Sequence, residues 1–125
     1  GLTADVATKI TFTTEDWDTN SNYALSAFTP TVAGYYFIDA GVDLNGTGTT
    51  YKSCRIYKNG TELIRGVRLP NPSSEGANPK VTGLVSMNGS TDYIEIFAVA
   101  NGTVSIDTDA RSIITYFSGH FVRGA

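Results

Sequence analysis

Residues 34–44 read "GYYFIDAGVDL", and how that stretch is read decides the fold. Tyr36, Ile38, Ala40, Val42 and Leu44 form one row, apolar throughout. Tyr35, Phe37, Asp39, Gly41 and Asp43 form the other, which begins aromatic and ends acidic. A period of two marks a strand with one buried face, because successive side chains leave a strand on opposite sides. The same period recurs along the chain. In "YKSCRIYK" (51–58) Cys54 and Ile56 oppose Arg55 and Tyr57; in "TDYIEIFAVA" (91–100) Ile94, Ile96 and Ala98 oppose Tyr93, Glu95, Phe97 and Val99. "SIITYFSGHFV" (112–122) sets Ile113, Thr115, Phe117, Gly119 and Phe121 against Ile114, Tyr116, Ser118, His120 and Val122. Shorter strands are expected at Thr8–Thr14, Ala27–Thr29, Glu62–Leu69 and Lys80–Met87. The chain is all-β.

The connections agree. Asn-Gly-[Ser/Thr] occurs at Asn45, Asn59, Asn88 and Asn101, which is either a set of glycan acceptors or a set of turns. Asn and Gly tolerate the positive φ that a two-residue hairpin turn requires. The copies at Asn59 and Asn88 fall between strands and that at Asn101 ends one, so the turn reading is preferred. "PNPSSEGANP" (70–79) carries three prolines and reads as an exposed loop. Residues 103–107 fit either a loop or a short strand.

With 125 residues the chain is sized for one domain, 1–125, with residues 1–7 as a connecting arm. A net charge of −3 argues against nucleic acid, whose phosphates need a basic face. No apolar run is long enough to span a membrane. The single cysteine, Cys54, forms no internal disulfide, and no basic-then-apolar leader opens the chain.

Four segments in register resemble the C1q/TNF superfamily. "FTPTVAGYYFIDAGVD" matches its Phe and Gly-x-Tyr-x-Phe strand pair at Phe28, Gly34 and Tyr36, with Ile38 where a second aromatic is usual. "IYKNGTEL" matches Leu-x-Lys-Asn-Gly through Ile56, Lys58, Asn59 and Gly60. "VTGLVSMNGSTDYIEI" matches at Gly83 and Asp92, with Thr91 replacing a glycine, and "YFSGHFV" matches at Phe117, Gly119 and Phe121. The resemblance covers residues 12–122. It implies an antiparallel jelly-roll β-sandwich of ten strands that packs into a homotrimer.

That superfamily includes the heads of collagen-like proteins, cytokines, and phage and bacterial fibre domains. This chain lacks a collagen Gly-x-y repeat and has Thr- and Asn-rich turns. The expectation is therefore a phage fibre tip or virion decoration at an extracellular or virion surface, with other virion or fibre proteins as partners. The alternative is a secreted C1q-like signalling or pattern-recognition head.

A trimer has support in the residues themselves. Once one apolar set faces inward, a second set remains: Tyr35, Phe37, Tyr93, Phe97, Val99, Tyr116 and Val122. Outward rings on several strands mark an interface, unless a bulge has reversed the parity of one strand.

For ligands, the expected apical loops carry Asn45, Thr47, Thr50, Tyr51, Asn71, Ser73, Ser74, Glu75, Asn78, Asn101 and Arg111. These hydrogen-bonding groups suit a host surface glycan or protein. If both termini lie at one end, these loops share the other. Asp39 and Asp43 on one strand, with Asp107 and Asp109 in a loop, are candidate ligands for Ca²⁺, as against ordinary surface acid; no other cofactor is implied. Some members of the resembled superfamily hold Ca²⁺ near the trimer axis.

Enzymatic chemistry has little to build on. His120 is the only histidine and has no partner at a telling spacing. Glu15, Asp16 and Asp18 around Trp17 are either a paired-carboxylate device of glycosidase type or a solvated acidic turn. The turn is preferred, and no catalytic residue is assigned.

Overall fold

The computed structural model describes residues 1–46, 51–70, 76–106 and 114–125. Every regular element among them is a strand. They are β1 (Thr8–Lys9), β2 (Tyr23–Ala24), β3 (Ala27–Phe28), β4 (Gly34–Gly41), β5 (Leu44–Asn45), β6 (Lys52–Lys58), β7 (Thr61–Arg65), β8 (Lys80–Met87), β9 (Ile94–Ala100), β10 (Ser105–Ile106) and β11 (Tyr116–Gly124).

One sheet runs β2-β3-β9-β6-β7, with β1 also paired to β9. A second runs β11-β4-β8, and β5 pairs with β10. All pairings are antiparallel. The core lies between the sheets. Tyr36, Ile38 and Ala40 of β4 meet Cys54 and Ile56 of β6 and Ile94, Ile96 and Ala98 of β9, all buried, with Val42 and Leu44 continuing the row. The alternation in residues 34–44 is thus the alternation of the sandwich. Gly83 faces inward opposite Ile38 on β8, and its missing Cβ leaves room for the Ile64 side chain. A side chain there would push β7 off the core.

The β6–β7 hairpin turns on Asn59 and Gly60, at φ 52° and 76°, as the Asn-Gly pair requires. Asn88 works differently. Its Oδ1 accepts the amides of Ser90, Thr91 and Asp92, organising the longer β8–β9 connection. Residues 105 and 106 prove to be strand, pairing with Asn45 and Leu44.

Several expectations change, the strand expected at Glu62–Leu69 running Thr61–Arg65 among them. The strand at Thr8–Thr14 is cut to Thr8–Lys9, because beyond Ile10, whose amide reaches Ile96, the chain leaves β9. Residues 1–7 do not form a free arm: Leu2 is buried and bridges Val104. The termini lie apart, since Leu2 sits by Val104 near β10, whereas Gly124 pairs with Gly34 at the opposite end of β4.

Candidate functional site

Three surfaces carry the side chains singled out above. The first is the outer face of β11-β4-β8. The register places His120, Phe37 and Leu84 in one row across the three strands. Phe37 is 37% exposed and Leu84 57%, and Val122, at the irregularity between Phe121 and Arg123, is 50% exposed. The Phe37 and His120 rings lie 5.5 Å apart, and the Arg123 guanidinium covers Tyr35 at 5.2 Å. One row further along, the face turns polar with Ser118, Asp39 and Thr82. Beyond it, Tyr116 donates its hydroxyl to Asp39 Oδ2 at 3.0 Å. Burial, and next the Asp39 carboxylate, hold that phenol above its ordinary pKa.

The seven outward residues therefore do not share a surface. Tyr35, Phe37, Tyr116 and Val122 belong to this sheet. Phe97 and Val99 belong to the other through β9, and Tyr93 lies just before that strand; ring stacking and ion pairs cross the outer face there. Phe97 stacks on Tyr57 at 4.0 Å, Lys9 pairs with Glu95 at 2.6 Å, and Glu62 takes both Arg55 and Arg65 at 2.7 Å. Val99, expected to point outward, is only 3% exposed. Phe121, expected inside, is half exposed and rests edge-on against Tyr36 at the margin of the sandwich.

The second surface is the loop end. Leu44 bridges Ala77, and Asn45 pairs with Ser105, so the stretches around residues 45, 77 and 105 do gather there. Their side chains hold that end together. Asn101 Oδ1 accepts the Tyr51 amide at 3.0 Å, the Tyr51 hydroxyl donates to Asp5 at 2.8 Å, and Asn78 donates to the Ile114 carbonyl. Arg68 lies over the Tyr51 ring at 4.4 Å. Lys52, fully buried below, donates to the carbonyls of Leu44 and Gly46 at 2.8 and 3.4 Å, and burial lowers the pKa of its ammonium. Thr47, Thr50, Asn71, Ser73, Ser74, Glu75, Asp107, Asp109 and Arg111 lie outside the described residues. Among those described, no three His, Cys, Asp or Glu side chains form a metal cluster. Asp39 is engaged by Tyr116, and the Asp43 amide is held by Thr115 Oγ1 at 3.0 Å.

The third surface was only partly legible in the sequence. A cleft of about 850 Å³ opens between the Phe12–Asn22 loop and β11. Its floor is aromatic: Phe117 packs against Phe12, Tyr23 and Phe28, with ring centroids 5.8–6.3 Å apart. Its wall carries Glu15, Asp16, Asp18 and Trp17, and Trp17 is 78% exposed. Asp18 shapes that wall. Backbone amides, that of Asn22 first, hold its pKa low; Tyr23 N lies at 2.8 Å and Asn20 N at 3.3 Å. A glycosidase acid must stay protonated near neutrality, whereas Asp18 is an ionised anchor for its own loop. The acidic motif was visible in the sequence; that it faced a cleft became visible only when β11 came to lie opposite.

No family model matches the chain, and no curated protein matches it. Among solved structures, the globular domain of zebrafish complement 1qA is similar in fold. The two share 16% identity with a TM-score of 0.66, over 98% of this chain and 90% of that one. At that identity the likeness is one of architecture: this chain is an all-β, C1q/TNF-like jelly roll.

Proposed function

We propose that the domain is a non-enzymatic head that assembles as a homotrimer on an extracellular appendage, a phage fibre tip or virion decoration, and presents its loop end to a host surface glycan or protein. The observation carrying this reading is the exposed row His120–Phe37–Leu84 across the outer face of β11-β4-β8, with Val122 on the same strand as His120. Contiguous apolar surface on a soluble domain calls for a partner. In a three-fold ring each copy presents this row to a different face of its neighbour, and the rotation closes the contact. The superfamily resemblance supplies the number three, and the Thr- and Asn-rich turns supply the fibre lineage.

The second reading, a secreted pattern-recognition or signalling head, draws on the similarity to the complement 1qA globular domain. Neither reading calls for catalysis, and Asp18 of the cleft is engaged by the backbone amides of its own loop.

Phe37→Asp tests the assembly. The variant should sediment as a lighter species than the parent, with an unchanged far-ultraviolet circular dichroism spectrum. An unchanged mass would remove this face from the interface. Beads coated with the parent domain should adhere to host cells, and soluble domain should compete them off; failure to adhere would refute the attachment role.

A further inference from the structure

The cleft along β11 suits a different partner from anything at the loop end. β11 is the outermost strand of its sheet, and among the described residues only β4 pairs with it. Seven consecutive residues of this region, Thr115 to Phe121, line the cleft. Side chains of one strand face would contribute every second residue. An unbroken run means that the cleft follows the strand's edge, where no described strand takes up the main-chain N–H and C=O groups. Such an edge is a template for an added strand.

The walls say what that strand should carry. The charged groups lining the cleft on its loop side are Glu15, Asp16 and Asp18, and no Lys or Arg is among the described lining residues. Asn22 Oδ1 is buried beside it with no hydrogen-bond partner. Carboxylates and an unfilled carbonyl oxygen accept hydrogen bonds and donate none. Beside them, the exposed Trp17 and the aromatic floor favour an apolar stem and attract a cation to a ring face. We infer that the cleft binds an extended, arginine- or lysine-bearing peptide segment of a partner protein, which adds as a strand along the free edge of β11 and places its cationic side chain between Trp17 and the Glu15–Asp16 carboxylates.

Trp17 is the only tryptophan in the chain, so its fluorescence reports on the cleft directly. The probe is the peptide acetyl-Thr-Arg-Val-Arg-Thr-amide, titrated into the full chain. Binding should be saturable and weaken with salt. It should fall at least tenfold when citrulline replaces both arginines, and again when proline replaces the central valine and blocks the ladder. Free agmatine should bind more weakly than the peptide. Calorimetry on Glu15→Gln/Asp16→Asn, both exposed positions, should show a tenfold or greater loss with the circular dichroism spectrum unchanged.

Equal binding of the citrulline peptide would remove charge from the account. Equal binding of the proline peptide or agmatine would remove the strand edge. Saturation by methyl mannoside in place of the peptide would make this a sugar site, and no response to the peptide would overturn the inference. Light scattering on the same sample reads assembly separately, so a trimer that ignores the peptide refutes this inference alone.

Discussion

Alkaline pH should loosen the protein through Cys54. The thiol is wholly buried between the sheets, and burial pushes its pKa from an ordinary 9.0 up to about 12. Folding therefore favours the neutral thiol. A folded pKa above the unfolded one gives stability that is complete below pH 9 and is lost as pH climbs from 9 towards 12. Three units at ~1.36 kcal/mol each make about 4 kcal/mol in all. At pH 10.5 about half of that, ~2 kcal/mol, should be gone.

Tyrosines with raised pKa, such as Tyr36, act in the same sense above pH 10, whereas the lowered pKa of Lys52 acts oppositely below 10.5. The clean reading is thus a difference between parent and Cys54→Ala. Urea unfolding followed by circular dichroism at pH 8 and pH 10.5, at one protein concentration, should show the parent's advantage shrinking by ~2 kcal/mol. A gap that is the same at both pH values would refute the burial argument. The same burial keeps this thiol from linking copies, so any assembly is non-covalent.

The β2–β3 turn holds Leu25 and Ser26 at φ 52° and 58°, with Leu25 92% exposed. Leu25→Asn should therefore raise the urea midpoint by an amount worth about 1 kcal/mol. Gly60→Val, at φ 76°, should destabilise by roughly 1–2 kcal/mol in the same assay. Thr61→Ala should be silent in stability and in the mass of protein from a glycosylating host; a lost sugar increment would restore the glycan reading of the Asn-Gly-Thr triplets. Asp18, Glu62 and Asp92 all have lowered carboxyl pKa values: Asp18 from backbone amides, Glu62 from Arg65 and Asp92 from Lys58. Their stabilisation is present above the ordinary values of 3.8 for the aspartates and 4.5 for Glu62, and is lost as pH falls through the lowered values. The thermal midpoint should therefore drop between pH 5 and pH 2.5, and a flat profile would deny those pairings.

Much of the fold was legible because period two is a local property. Residues 34–44 placed Tyr36 through Leu44 inside, and Lys80–Met87 was bounded correctly, since each strand has one apolar side. What sequence alone does not carry is which sheet a strand joins. Phe37 and Phe97 read alike as outward phenylalanines, yet β4 and β9 lie in different sheets, and their outer faces look in opposite directions. The Leu25–Ser26 turn passed unseen because neither residue is one that positive φ favours. Of the expected apical side chains that the structure describes, Tyr51, Asn78 and Asn101 bind the chain's own groups, a fate that composition does not reveal. The β11 cleft stayed hidden for a related reason: an edge strand and a core strand share the same alternation.

Assembly through the outer face of β11-β4-β8 is read from the mass of the purified protein in solution by light scattering, with and without a chelator. A particle of three 13.3 kDa chains, about 40 kDa, is expected, and Phe37→Asp should break it down. A trimer lost on chelation would make Asp39 and Asp43 metal ligands within that assembly. A monomer that stays monomeric at high concentration, with Phe37 and Leu84 open to water, would contradict it.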